Sequence, residues 1–152
     1  SCHYDRAFGL FEDEKLLMCI CIGKPRFDRS ADLEIIRSAT QTGITVVGGF
    51  SKILSHITEL EKGKTIISYA DRLFSNGNSY KKNGFDLVSI VSPGYFYVKN
   101  GKKVKRFQSQ KSKLEKLLGE KFDETKTEVI NMIDAGYRRV WDAGNLKFKK
   151  TL

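Results

Sequence analysis

Ser68, Asp71 and Asn78 have the residue types and the spacing of a small polar site. The β-branched run that begins at Ile66 ends in the acid Asp71, and a loop rich in glycine and asparagine follows. This pattern predicts a strand that leads into a helix, with the three polar side chains near the strand's C-terminal end. Ligands of open α/β sheets usually bind beyond such ends. An acid there can orient a base or a hydroxyl group. The competing interpretation is that Asp71 only caps or turns the loop.

A second candidate site lies at the start of a predicted helix, where Gly48 and Gly49 precede Ser51 and Lys52. The first N–H groups of a helix have no intrahelical partners, and glycine lets an anion approach the backbone. An anion site and a tight glycine turn without a ligand are equal alternatives here. A right-handed crossover would lay this helix beside the strand that contains Ser68. We therefore predict that both sets of residues line one groove.

The basic residues are concentrated in one part of the sequence. The chain of 152 residues carries a net charge of +9, which favours polyanionic partners such as nucleic acids. Between Lys99 and Lys116 the only acid is Glu115. The alternative interpretation of this run is a solvated hairpin and helix face. We predict phosphate contacts from seven of its residues: Lys99, Lys102, Lys103, Lys105, Arg106, Lys111 and Lys113.

The cysteine and histidine patterns argue against a metal centre. Cys19 and Cys21 lie two residues apart in an apolar run, so they share one strand face and cannot readily bridge each other. The C-x2-4-C spacing of zinc sites is absent, and His3 and His56 are isolated in the sequence. We predict that Cys19 and Cys21 are buried, reduced and unligated. An odd number of cysteines, and the lack of an apolar run of membrane-spanning length, indicate a cytosolic protein.

Periodicity and turn residues predict the elements that position these side chains. We expect strands at 6–11, 16–22, 32–40, 65–70, 86–91 and 95–98, the last two forming a pair, and a helix is the competing prediction for 32–40. Apolar spacing predicts helices at 48–60, 77–83, 111–118 and 124–135, the last with the buried stripe Val129, Ile130, Met132 and Ile133. Asn100-Gly101 predicts a hairpin turn, and 139–141 and 146–148 are expected to flank a final turn.

The 77–83 segment resembles the late helix of the GNAT acyltransferase superfamily, in which a tyrosine and a terminal Gly-Phe recur. The residues that carry this resemblance are Asn78, Tyr80, Gly84 and Phe85. The sequence Ser-Tyr-Ala-Asp from Ser68 to Asp71 is more specifically similar to the Mom DNA-modification protein of phage Mu. It is also similar to the C-terminal domains of phage proteins described as homing-endonuclease-like.

The resemblance implies an α/β (α+β) fold of GNAT type, with a mixed, mostly antiparallel sheet flanked by helices. Residues 1–98 would form the core, truncated at its N-terminus. Residues 99–152 would form a basic helix and hairpin appendage packed on the same domain.

The resemblance also implies roles for the candidate residues. Asp71, with Ser68, would face the base or the acyl donor, and Tyr80 would be a proton donor or a neighbour of the thiol. Simple packing is the alternative for Tyr80. The residues placed to hold coenzyme A would be Gly48, Gly49, Ser51, Lys52 and Asn78. The adjacent glycines depart from the superfamily's Gln/Arg-x-x-Gly-x-Gly/Ala pattern.

Two functions are therefore expected. The first is a DNA-binding domain of a phage or mobile-element DNA-processing protein, associated with a homing endonuclease and joined to an N-terminal partner domain. It would act in the cytoplasm of an infected bacterium. The alternative is a Mom-like acyltransferase that modifies a DNA base with a coenzyme A thioester such as acetyl-CoA. We favour the first because the coenzyme loop departs from its pattern, and whether the chain is an enzyme stays open.

Overall fold

The computed structural model describes residues 3–152, which divide into two compact units. One unit contains the described residues up to Val91 together with Asn145–Leu152, and the other contains Ser92–Gly144. The strands are β1 (Arg6–Glu12), β2 (Lys15–Gly23), β3 (Leu33–Thr40), β4 (Thr65–Asp71), β5 (Asp86–Val91), β6 (Tyr95–Lys99), β7 (Lys102–Lys105), β8 (Arg138–Trp141) and β9 (Asn145–Thr151). The helices are α1 (Gly49–Leu60), α2 (Asn78–Lys82), α3 (Lys111–Leu118) and α4 (Glu128–Asp134), with 3-10 turns at Arg106–Gln108 and Gly119–Lys121.

The first unit is built on a six-stranded sheet in the order β1-β2-β3-β4-β9-β5. Strands β3 and β4 are parallel, and the other neighbouring strands are antiparallel. The parallel pairing extends only from Leu33 to Ile35 on β3 and from Ile66 to Ser68 on β4. Helix α1 makes the crossover that a parallel pair requires. The predicted mixed α+β class with a mostly antiparallel sheet is confirmed.

The core of the first unit lies between one sheet face and α1. Ile53, Leu54 and Ile57 recur with helical spacing and are buried. They belong to the same apolar cluster as Ile20 of β2 and Phe148 of β9. Burial of side chains of this size contributes about 1.5–3 kcal/mol each. This core holds β4 and its polar residues in place.

The second unit has a three-stranded antiparallel sheet in the order β7-β6-β8. Its buried core joins Tyr97 of β6 to Leu114 of α3 and Met132 of α4. Strand β6 leads into β7 through the predicted hairpin turn, in which Asn100 and Gly101 have φ values of 50° and 72°. Two consecutive residues with positive φ give the backbone twist that tight hairpins favour.

One predicted strand pairing is wrong. Strand β5 pairs with β9 and strand β6 with β7 and β8, so 86–91 and 95–98 do not form a pair. Strands β8 and β9 flank the turn at 142–144 as expected, and they belong to different sheets. Short connections favour neighbouring strands, and here the chain instead leaves one sheet and later returns to it. The expected division into residues 1–98 and 99–152 stays a prediction.

Three further predictions, one of a helix boundary and two of burial, also need correction. Helix α4 begins only at Glu128 because Asp123 organises a turn before it and the Thr127 side chain accepts the Ile130 N–H group. The buried stripe is narrower than predicted, since Ile130 and Ile133 are exposed. In β2, Cys21 is buried but Cys19 is only partly covered.

Candidate functional site

Ser68 and Tyr80 form a hydrogen-bonded pair between β4 and α2. The Ser68 side chain is 1% exposed, and its Oγ donates to Tyr80 Oη at 2.8 Å. Ser68 Oγ also lies 3.5 Å from the main-chain oxygen of Ile35, at the last paired position of β3 and β4. Residues 66, 68 and 70 share a face because side chains alternate along a strand, and Ile66 and Ala70 are in the core cluster. The two hydroxyl groups therefore sit where the parallel strands stop pairing.

The ring of Tyr80 is surrounded by aromatic side chains. It stacks on Phe148 at a centroid distance of 5.1 Å and makes edge contacts with Phe50 at 5.6 Å and Phe85 at 5.4 Å. Burial raises the pKa of Tyr80 above its ordinary value, and the hydrogen bond from Ser68 opposes part of this rise. The phenol is consequently neutral at physiological pH and can donate a proton.

Gly77 permits the approach of α2 to the sheet. Its φ of 76° lies in the left-handed region, and a Cβ atom there would be 2.2 Å from the ring of Phe148. A larger residue would therefore be strained and would also displace Phe148. The glycine-rich loop expected from the sequence thus has a specific packing purpose.

Asp71 lies on the rim of the pocket that contains the hydroxyl pair. This pocket measures about 280 Å³, and Ser68, Asp71 and Tyr80 all line it. Asp71 is exposed, its Oδ1 accepts the Leu73 N–H group at 2.8 Å, and its main-chain oxygen accepts the N–H group of Ser75 at 2.9 Å. The structure thus brings the three predicted catalytic residues together. The Asp71 carboxylate also organises the turn after β4.

The residues predicted to bind a cofactor are divided among different places. Gly48 and Ser51 line a separate pocket of about 440 Å³, whereas Lys52 lines another, of about 500 Å³. Gly49 is buried, and its N–H group donates to the Val46 main-chain oxygen at 3.2 Å. Asn78 is exposed, and its N–H group donates to an asparagine of the preceding loop.

The single groove predicted from the sequence is thus two pockets. Phe50 lines the pocket at the start of α1, Tyr80 lines the pocket at the end of β4, and the two rings contact each other edge to face. Within residues 3–152, the N–H groups of Phe50 and Ser51 have no backbone partner. Lys82 lines the same pocket as these two groups. They offer an anion two amide donors and a cation.

Charged residues on the opposite face of the sheet form contacts that the sequence analysis did not predict. Glu34 is fully buried, and its carboxylate accepts from the N–H and the Nε of Arg26, both at 2.8 Å. Asp28 forms an ion pair with Lys147, which lies beside Tyr69 across the β4–β9 pair. The hydrogen bond from Lys147 holds the pKa of Asp28 well below its usual range and raises the pKa of Lys147. In the sequence, residues 23–30 are recognisable only as a basic segment, and nothing there indicates its partners.

The seven predicted DNA-binding residues all lie in the second unit, on β6, β7, the 3-10 turn at Arg106–Gln108 and α3. Within the described chain none of them forms an ion pair. Lys99 differs from the others because its Nζ donates to the main-chain oxygen of Ala135 at 2.6 Å, at the C-terminal end of α4. The guanidinium of Arg106 lies 4.9 Å from the ring centroid of Tyr95.

The sheet of the second unit has one face away from its core. Tyr97 is buried against α3 and α4, so its strand neighbours Phe96 and Val98 face the other side. The residues paired with them share that face: Lys103 and Arg138 with Val98, and Lys105 and Val140 with Phe96. This face, called the basic face below, carries three cations and no acid. Arg138 was missed because its position beside Val98 depends on the pairing of β8 with β6.

No protein family matches this chain, and a comparison with curated proteins finds none that is similar. None of the helices within residues 3–152 is long and apolar enough to cross a membrane. That same part of the chain contains no group of three or more His, Cys, Asp or Glu residues arranged to hold a metal ion.

Proposed function

We propose that this chain is a DNA-binding domain of a phage or mobile-element DNA-processing protein, and that its second unit holds the phosphate backbone. The observation that carries the proposal is the set of cations on and around the basic face. Lys102, Lys103, Lys105 and Arg106 are exposed, close together along β7 and the following turn, and unpaired with carboxylates within residues 3–152. Free exposed cations are the groups that neutralise phosphates and release counterions.

The charge balance of the second unit supports the same proposal. Residues 92–144 contain twelve Lys and Arg residues and seven acids, a net charge of +5. Several of these acids have internal partners. Glu128 accepts from the hydroxyls of Tyr95 and Tyr97, and Asp142 accepts the N–H groups of Gly94 and Gly144. Asp123 and Asp134 pair with Lys126. These four acids thus support the fold, and no acid is among the paired residues that form the basic face.

A salt titration of DNA binding tests this proposal. We expect the variant with Lys102, Lys103, Lys105 and Arg106 changed to Ala to bind duplexes of any sequence more weakly. Its dependence of log K on log salt should be shallower by about one unit for each phosphate that the protein no longer neutralises. The matched control removes four exposed cations of the first unit that form no ion pair within residues 3–152: Lys15, Lys24, Arg29 and Lys62. Equal binding and equal salt slopes for the two quadruple variants would contradict the proposal.

A Mom-like acyltransferase is the second candidate, favoured by the Ser68–Tyr80 pair. In an acyl transfer to a base, the amine attacks the thioester carbonyl carbon, a C–N bond forms and the C–S bond breaks. The nitrogen releases a proton to water, and the thiolate takes one. The neutral phenol of Tyr80 could supply that proton. The N–H groups of Phe50 and Ser51, with Lys82, fit the charge of the coenzyme's pyrophosphate. Electron density for acetyl-CoA at 48–52 in a soaked crystal would support this candidate.

The place of the domain in a larger protein is part of the proposal. A DNA-holding domain needs a partner that performs the chemistry if its own site is inactive, and an N-terminal domain of the same protein is the proposed partner. We propose the cytoplasm of a phage-infected bacterium as its location. The first seven elements, β1-β2-β3-α1-β4-α2-β5, all lie in the first unit and follow the order expected from the sequence, which supports a GNAT-like origin for this unit.

A further inference from the structure

Phe107 is an exposed aromatic residue in the middle of the basic run. Its side chain is 68% exposed on the 3-10 turn that joins β7 to α3. It is not among the residues that form or flank the core of the second unit. A phenylalanine at this position therefore gives the fold little burial energy.

One cation contacts this ring, and three others are close to it in the chain. Lys113 Nζ lies 2.9 Å from the ring centroid, and Lys105 and Arg106 immediately precede Phe107 in the chain. Lys111 begins the following helix. An aromatic side chain among cations matches the surfaces that bind single-stranded nucleic acids, where bases stack on rings and cations hold phosphates.

Hydrogen bonds of the two residues after Phe107 hold the turn that carries it. Ser109 is fully buried, its N–H group donates to the main-chain oxygen atoms of Lys105 and Arg106, and its Oγ lies 3.4 Å from Glu128 Oε1. Gln108 Oε1 accepts the Lys105 N–H group at 3.0 Å. The ring is consequently presented on a rigid support, which lowers the entropy cost of binding.

We propose that Phe107 stacks on an unpaired base, so that the DNA bound by the second unit is single-stranded at this point. This inference rests on the proposed DNA binding and specifies its substrate. In a duplex the faces of the bases are covered by their neighbours, whereas every unpaired base has a face that can stack on an aromatic ring. The neighbouring cations Lys105, Arg106, Lys111 and Lys113 would hold the adjoining phosphates.

The test measures binding of a single-stranded oligonucleotide that contains 2-aminopurine, whose fluorescence is quenched by stacking. Phe107→Ala should weaken binding of this strand by about five- to a hundredfold and remove the quenching. The salt slope should stay that of wild type because no charge is removed. Phe107→Trp should restore both binding and quenching. Phe74→Ala is the matched control, since Phe74 is 82% exposed and lies in the first unit.

The outcomes separate this inference from the function on which it rests. If the quadruple cation variant loses binding while Phe107→Ala binds the single strand like wild type, the stacking inference is wrong and the DNA-binding proposal stands. If Phe107→Ala weakens the binding of single-stranded DNA and of duplex DNA equally, the inference is also overturned. Full rescue by Phe107→Leu would do the same, because it would show an apolar contact with another molecule rather than stacking. If the quadruple variant binds normally, the DNA-binding proposal itself fails.

Discussion

The Ser68 hydroxyl reaches the Tyr80 hydroxyl at 2.8 Å, which links the central strand β4 to the short helix α2. Helix α2 has only five residues, too few to be stable alone. Its position depends on the contacts of Tyr80, namely the aromatic cluster and this hydrogen bond. The pair thus lines the pocket and also holds α2 against the sheet.

The first prediction concerns the coupling of these two hydroxyl groups. Ser68→Ala should lower the free energy of unfolding by about 1–3 kcal/mol, because it leaves a partly buried phenol without its partner. Tyr80→Phe should cost about 0.5–1.5 kcal/mol, and the double variant should cost less than the sum of the two single variants. Urea unfolding of the four proteins measures the coupling. Ser38→Ala, at the exposed rim of the same pocket, is the control and should stay within about 0.5 kcal/mol of wild type. Strictly additive effects would show that the hydrogen bond contributes nothing.

The second prediction separates the two roles open to Asp71. Asp71→Ala removes the acceptor of the Leu73 N–H group and should cost about 0.5–2 kcal/mol of stability. Asp71→Asn keeps an oxygen for that bond and should have nearly the wild-type melting temperature. If the acid serves the pocket, both variants of the full-length protein lose activity. If Asp71→Asn has normal activity and Asp71→Ala is active in proportion to its folded fraction, Asp71 serves only to stabilise the turn after β4.

The third prediction is a pH dependence from the Asp28–Lys147 ion pair. The folded-state pKa of Asp28 lies below its unfolded value, so its contribution is complete above the unfolded pKa. That contribution is lost as the pH falls below about 4 towards the folded pKa. Lys147 has a raised folded pKa, so its contribution is present at neutral pH and is lost only as strongly alkaline pH is reached.

Urea midpoints measured from pH 2 to pH 8 test this dependence. Wild type should exceed Asp28→Asn in stability at neutral pH, and the difference should shrink steadily below about pH 4. Asp86→Asn is the control, since the exposed Asp86 side chain has no hydrogen bond or ion pair within residues 3–152. A difference between wild type and Asp28→Asn that is constant across this range would exclude the ion pair as its source.

The sequence by itself determined where most elements lie. The apolar spacing of Ile53, Leu54 and Ile57 requires a helix with one buried face, and the run that ends at Asp71 forms a strand. These signals are local, since each depends on residues within one or two turns. The concentration of cations between Lys99 and Lys116 is likewise a property of the chain alone.

Only the tertiary structure decided which elements are neighbours. The segment 146–148 shows a strand pattern, but nothing in it specifies that β9 inserts between β4 and β5 rather than pairing with β8. That insertion brings Phe148 under Tyr80 and Lys147 beside Asp28, which lies more than a hundred residues away in the sequence. The packing of the second unit likewise decides that Lys99, and not Lys103, donates a hydrogen bond to the C-terminal end of α4. Pairings between distant segments depend on many weak contacts made by residues throughout the chain, so they cannot be predicted from any short stretch of sequence.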